Sequence, residues 1–146
     1  MKVFNKILVP YDFSEYAEEA LRFATLLAGN HTLVTILNIL ELPYVHDPSG
    51  MIYYENKAEE LERNSNNALD KLMVDLKEWY PTVTFETVLL TNLDPAEAIC
   101  KTQKENKHDL IVMGSHGRKG LDRLLMGSVA ESVMRSSHCP VLIIKK

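Results

Sequence analysis

The chain has 146 residues, of which 46% are apolar and 25% charged, and its net charge is −4. That length fits one ordinary domain, residues 1–146, able to bury a hydrophobic core without staples. The composition excludes global disorder, and the acidic balance argues against a nucleic-acid partner, which needs a basic face. No stretch reaches the roughly 18–20 apolar residues of a membrane span, so no membrane partner is expected.

Phe4 to Val9 is an apolar run of β-formers stopped by Pro10. Asp12 and Ser14 are both suitable N-caps for the helix that follows, and Glu15 stands three after Asp12 in capping-box spacing. Ala17, Ala20, Leu21, Ala24 and Leu27 or Ala28 then recur at helical spacing until Gly29 and Asn30. Leu33 to Ile39 predicts a second, buried strand. Glu41 to Met51, with Pro43, Pro48 and Gly50, predicts a loop.

A long helix follows, with Leu61, Ala68, Leu72, Leu76 and Trp79 forming its expected core stripe and Pro81 marking its end. Val83 to Leu90 is the third strand. Asp94, Pro95 and Glu97 give an N-cap, a proline at the first helical position and a carboxylate at the third, for a helix to about Asn106. Leu110 to Met113 is a short fourth strand, Ser128 to Ser136 a helix, and Val141 to Ile144 a fifth strand introduced by Pro140. Strands two, four and five are nearly continuous apolar runs, as expected when helices cover both faces. The alternation predicts an α/β fold, a doubly wound open five-stranded parallel sheet.

The segment from Gly114 to Ser128 contains Gly114, Gly117, Gly120 and Gly127, together with Arg118, Lys119 and Arg123. A glycine has no side chain to hold a ligand away from main-chain N–H groups. Gly127 and Ser128 stand at a helix start, where unpaired N–H groups and the positive dipole end favour an anion. The alternative is that the glycines mark a strand-to-helix turn. A Walker loop is excluded because no Gly-Lys pair occurs, and a Rossmann fingerprint because Pro10 to Ser14 contains no glycine. With strand order 3-2-1-4-5, the ligand crevice lies between strands one and four, where Asp12 faces the glycine loop. Asp12 there is a plain N-cap, an acceptor for a ribose hydroxyl, or a ligand to a divalent cation.

Gly114, Gly117, Gly127 and Ser128, spaced by two and nine residues, resemble the nucleotide motif of the ATP-binding branch of universal stress proteins. The chain is similar to that family also in Ile7 to Ser14, Asp109 to Gly117 and Cys139 to Ile144. The resemblance implies sheet order 3-2-1-4-5, a homodimer, and binding of ATP with Mg2+ or Mn2+ and no strong turnover. It implies that Pro10 and Asp12 line the adenosine side, that Ile39 meets adenine, and that Gly114, Gly117, Gly127, Ser128 and Val129 hold ribose and phosphates. With neighbouring positions included, the candidate binding residues are Pro10, Tyr11, Asp12, Ile39, Met113, Gly114, Ser115, Gly117, Arg118, Gly127, Ser128 and Val129. Asp12 is also the candidate metal ligand, and no residue is assigned to catalysis. Asn38 stands where the family often has histidine, and Leu93 where it often has glycine.

His116 is expected to be a spectator, since no Ser–His–Asp arrangement surrounds it. Cys100 and Cys139 lack metal-ligand spacing and are expected to be free thiols in a cytoplasmic protein. The fifth strand falls at a sheet edge and is apolar on both faces, which predicts homodimerisation through Val141 to Ile144. The leading function is nucleotide-dependent regulation in stress adaptation. The alternatives are a slow ATPase or nucleotidyl transferase, and an interaction module without a nucleotide. The loop at 41–54 is a candidate lid.

Overall fold

The computed structural model describes residues 4–42, 51–91, 94–118 and 125–146, with the backbone alone for 51–54. Expectations for Leu93, Lys119, Gly120, Arg123 and the greater part of the 41–54 loop lie outside the described residues. The strands are β1 (Lys6–Pro10), β2 (Leu33–Leu40), β3 (Thr84–Thr91), β4 (Leu110–Gly114) and β5 (Val141–Ile144). The helices between them are α1 (Glu15–Leu27), α2 (Met51–Trp79), α3 (Pro95–Asn106) and α4 (Ser128–Ser136).

All neighbouring strands are parallel, in the order β3-β2-β1-β4-β5. The order reverses between β1 and β4, as expected, and β5 is an edge strand. Alternate strand residues divide the core into two layers, because side chains in a strand point to opposite faces. Ile7, Val9, Val34, Ile36 and Val112 meet α1 and α2 through Ala17, Ala20, Leu21, Ala24, Leu69 and Leu76. Leu8, Leu37, Ile111 and Met113 meet α3 and α4 through Ile99, Ala130 and Val133. Ile7, Leu8, Val9, Val34, Ile36, Ile111 and Val112 are fully buried. Burial of one such side chain stabilises the fold by about 1.5–3 kcal/mol.

One open choice is decided and two local expectations are corrected. Ser14, not Asp12, caps α1: its hydroxyl accepts from the Ala17 N–H at 3.2 Å. Met51 to Tyr54, expected in a loop, already belong to α2. Trp79, expected on the core stripe, is 62% exposed. The α2 stripe is centred on buried Leu69 and Leu76 and passes through Met73 to Tyr80, which packs on the core and against Phe85. At about 100° per residue, Trp79 falls on the flank of that stripe.

The N-cap of α3 is as expected, with Asp94 accepting from the Glu97 N–H at 3.1 Å and Pro95 in the first turn. Cys100 and Cys139 are thiols and are not joined in a disulfide. Burial and the carboxylate of Asp94 both push the Cys100 thiol pKa up.

Candidate functional site

The crevice is built from the loops that leave the carboxyl ends of β1 and β4. Tyr11 extends β1, its N–H donating to the Leu37 carbonyl at 2.8 Å, while its own carbonyl accepts from Asn38 Nδ2 at 2.7 Å. Its ring is in the core, 5% exposed. Burial, with Glu18 and Asp12 adding negative charge, pushes its phenol pKa up to about 12. Phe13 then turns the chain in a left-handed conformation, φ 63°, which costs a non-glycine residue about 1–2 kcal/mol. Its ring meets that of Tyr11 edge-on at 5.0 Å.

This turn sets Asp12 at the mouth. One carboxylate oxygen accepts from the Ser14 N–H at 3.0 Å and the other from the Arg118 N–H, also at 3.0 Å. Arg118 Nε donates to the Asp12 carbonyl at 2.5 Å. The guanidinium lies 6.0 Å from the centre of the Phe13 ring. The β1 and β4 loops are thus joined across the crevice by residues 106 apart in the chain.

Two of the glycines, Gly114 and Gly127, are required by protein neighbours, quite apart from any ligand. A Cβ on Gly114 would stand 2.6 Å from Tyr16 Cβ and 3.0 Å from the Tyr16 carbonyl carbon, so α1 crosses directly over the end of β4. A Cβ on Gly127 would stand 2.9 Å from the Ser115 carbonyl oxygen, which also accepts the Gly127 N–H at 2.8 Å. A Cβ on Gly117 would meet Asp12 Oδ2 at 2.8 Å. None of the described glycines has positive φ, so close approach is the reason for glycine here and backbone freedom is not.

Ser115 is buried and fully used: its N–H donates to the Ile144 carbonyl at 2.8 Å, and its hydroxyl bonds His116 Nδ1 at 2.9 Å. The His116 ring lies against Tyr16, with centroids 5.2 Å apart. Met113 is a core side chain, 5% exposed. Ile39 and Val129 are half-buried on the α3 and α4 side of the sheet.

Gly127 caps α4 without a side-chain bond. The N–H groups of its first turn therefore have no side-chain cap from that position, and the positive end of the helix dipole lies beside the exposed Ser128. Gly117, Arg118 and Ser128 are exposed at the mouth and could hold an anion. Tyr11, Met113 and Ser115 are occupied by the fold itself.

For a divalent cation, Asp12 has lone pairs left after its two main-chain bonds. Among the described residues, no group of three or more His, Cys, Asp or Glu could hold a metal. Asp12 therefore suits Mg2+ only as one carboxylate in a shell completed by phosphate oxygens and water, the way that ion is commonly bound.

Sequence reasoning missed Phe13 and Tyr16. It noted Asn38 as a departure from the family's histidine, and that residue is buried, its Nδ2 donating to the Tyr11 carbonyl and its Oδ1 without a partner among the described residues. Two shallow surface hollows lie elsewhere, on α2 around Asn66 and at the amino ends of β4 and β5 around His108 and Pro140. Neither is at the carboxyl ends of the strands, where parallel sheets bind ligands.

An open parallel sheet with helices on both faces and a crevice at its reversal point defines a doubly wound α/β domain. A model of the universal stress protein family matches residues 4–145. The chain belongs to the universal stress protein family. It is 36% identical over 146 residues to universal stress protein MJ0531 of Methanocaldococcus jannaschii, covering 99% of this chain and 84% of that one. Universal stress protein MJ0577 of the same organism is 33% identical over 157 residues, covering 99% and 96%. The solved structure of MJ0577 superposes with a TM-score of 0.78, at 30% identity over 99% of this chain and 98% of that chain. A universal stress protein solved in complex with cAMP shares the fold, with a TM-score of 0.64 and 23% identity over 99% of this chain and 98% of that one.

Among the described residues, no helix is long and apolar enough to cross a membrane.

Proposed function

We propose that the chain binds an adenine nucleotide, ATP with Mg2+, in the crevice between β1 and β4, and that it acts in regulation or stress adaptation as a cytoplasmic homodimer. The observation that carries this reading is the uncapped N-terminus of α4 at Gly127 and Ser128, at the sheet reversal and beside a loop tied to Asp12. Pro10, Asp12 and Ile39 line the nucleoside side. Gly114, Gly117, Arg118, Gly127, Ser128 and Val129 line the phosphate side. Asp12 would hold Mg2+ as its protein carboxylate, and the ion would supply neutralisation of the phosphate charge. The cAMP complex of a relative with this fold supports an adenine nucleotide as the ligand class.

Binding, without turnover, is the proposed activity, and its means is linkage: a ligand that binds only the folded state stabilises it. At a hundred times Kd that is about 2.7 kcal/mol. For a chain of this size it raises Tm by roughly 5–10 °C. The dimer forms through the half-buried apolar edge β5, which invites a second strand.

Native mass spectrometry with and without Mg·ATP tests both points, followed by an assay for ADP or AMP. A dimer retaining intact ATP is expected. Rapid turnover would replace the reading with the ATPase or nucleotidyl transferase, absence of affinity would replace it with an interaction module, and a monomer would remove the β5 interface.

A further inference from the structure

The contact between Arg118 and Asp12 is an odd one for a cation. Its Nε donates to a neutral main-chain carbonyl at 2.5 Å, and its N–H holds the Asp12 carboxylate at 3.0 Å. Arg118 is exposed, and the residue after that carbonyl is Phe13, in its left-handed conformation. A guanidinium is a five-donor fork that matches phosphate geometry in pairs of parallel bonds. Phosphate carries the negative charge and the paired acceptors that this fork matches, whereas the Asp12 carbonyl is neutral and takes one bond. The carbonyl is therefore a resting partner, one that a phosphate would displace.

We propose that Arg118 is a latch across the nucleotide crevice and the residue by which the protein senses the number of phosphates. Without a ligand, the guanidinium rests on the Asp12 carbonyl and closes the mouth between the β1 and β4 loops. A triphosphate arriving at the N-terminus of α4 draws the guanidinium off that carbonyl and onto its own oxygens. Adenosine brings no acceptor of comparable strength and has to bind against the closed latch. The Arg118 main chain keeps its bond to the Asp12 carboxylate, so only the side chain exchanges partners. Gly117 makes room for that carboxylate, because any Cβ there would meet Asp12 Oδ2 at 2.8 Å. The latch deepens the nucleotide reading and rests on it.

The test is the affinity of the full chain for ATP and for adenosine at one ionic strength, by calorimetric titration, in wild type, Arg118→Ala and Arg118→Lys. The side chain is on the surface, so both variants are expected to unfold at the wild-type temperature, checked by circular dichroism. Arg118→Ala is expected to lower the ratio of ATP to adenosine affinity about tenfold, with adenosine binding unchanged or tighter. A fall of less than threefold overturns the latch. Arg118→Lys keeps the charge and loses the fork, and is expected to recover less than half of the effect. Larger recovery reduces Arg118 to a point charge and removes the exchange of partners. A wild-type chain that binds neither ligand at millimolar concentration overturns the nucleotide reading itself, whereas binding with an unaltered ratio in Arg118→Ala overturns the latch alone.

Discussion

Replacing Gly114 by alanine separates the role of this glycine in the fold from any role at a phosphate. The added Cβ would stand 2.6 Å from Tyr16 Cβ, 3.0 Å from the Tyr16 carbonyl carbon and 3.1 Å from the His116 carbonyl oxygen. Carbon atoms pack at about 3.5–4.0 Å, so the first turn of α1 has to recede by about 1 Å. It cannot do so freely, because Ala17, Ala20, Leu21 and Ala24 dock the same helix on the sheet with 4% exposure or less. Overpacking of this kind costs about 1–3 kcal/mol. The lower entropy of the unfolded alanine chain offsets about 0.4–1 kcal/mol of it. A net loss of about 1–2 kcal/mol lowers Tm by roughly 2–8 °C.

Gly117→Ala is the control for that experiment. Its Cβ meets only the end of the Asp12 side chain, with the next atom of that carboxylate at 4.0 Å. The carboxylate can swing into water, so Tm is expected to stay within about 2 °C of wild type. Scanning calorimetry on both variants, with urea titration to check that the m-value is unchanged, decides the matter. A Gly114→Ala chain as stable as Gly117→Ala would show that α1 does not bear on β4 and would refute the packing argument.

Two further predictions concern titrating groups. His108 is buried, and its Nε2 bonds the Thr35 hydroxyl at 2.9 Å, which in turn donates to Glu86 at 2.6 Å. Burial lowers its pKa, against the nearby Thr102 main chain and the charges of Glu86 and Asp109, which raise it, with Lys6 adding to the lowering. The unfolded chain then binds more protons than the folded one below about pH 6.5, so stability is full above that pH and falls as pH drops through the folded pKa, by about 1.4 kcal/mol per unit of depression. Tm measured from pH 7.5 to 5 in His108→Gln should lack the part of the fall that His108 causes, and an identical profile in both chains would remove His108 as its source. Tyr11 predicts that, of six tyrosines, one ionises near pH 12 in a spectrophotometric titration of the folded chain, and that Tyr11→Phe deletes that step. A variant that keeps the step places it on another ring.

Much of this architecture was readable along the chain. The apolar runs in β2, β4 and β5, the Asp94–Pro95 start of α3 and the span of α4 are local patterns, and the structure places them where those patterns predict. The reversal between β1 and β4 followed once the family order was supplied by resemblance. Trp79 misled because helical spacing does not show where the centre of an apolar stripe lies, and Tyr80 takes the core position beside it. The cap of α1 stayed open along the chain, because Asp12 and Ser14 are equally good cap residues in isolation.

By itself the sequence determined the order and type of the elements, because hydrophobic period, caps and turn residues act over a few residues. Only the tertiary structure decided what Asp12 and the glycines do. Asp12 is freed from capping by Ser14 and bonded by Arg118, 106 residues away. Gly114 and Gly127 are glycine because Tyr16 and Ser115 stand where a Cβ would be. Steric exclusion and hydrogen bonding act between neighbours in space, and no local pattern along the chain records which neighbours those are.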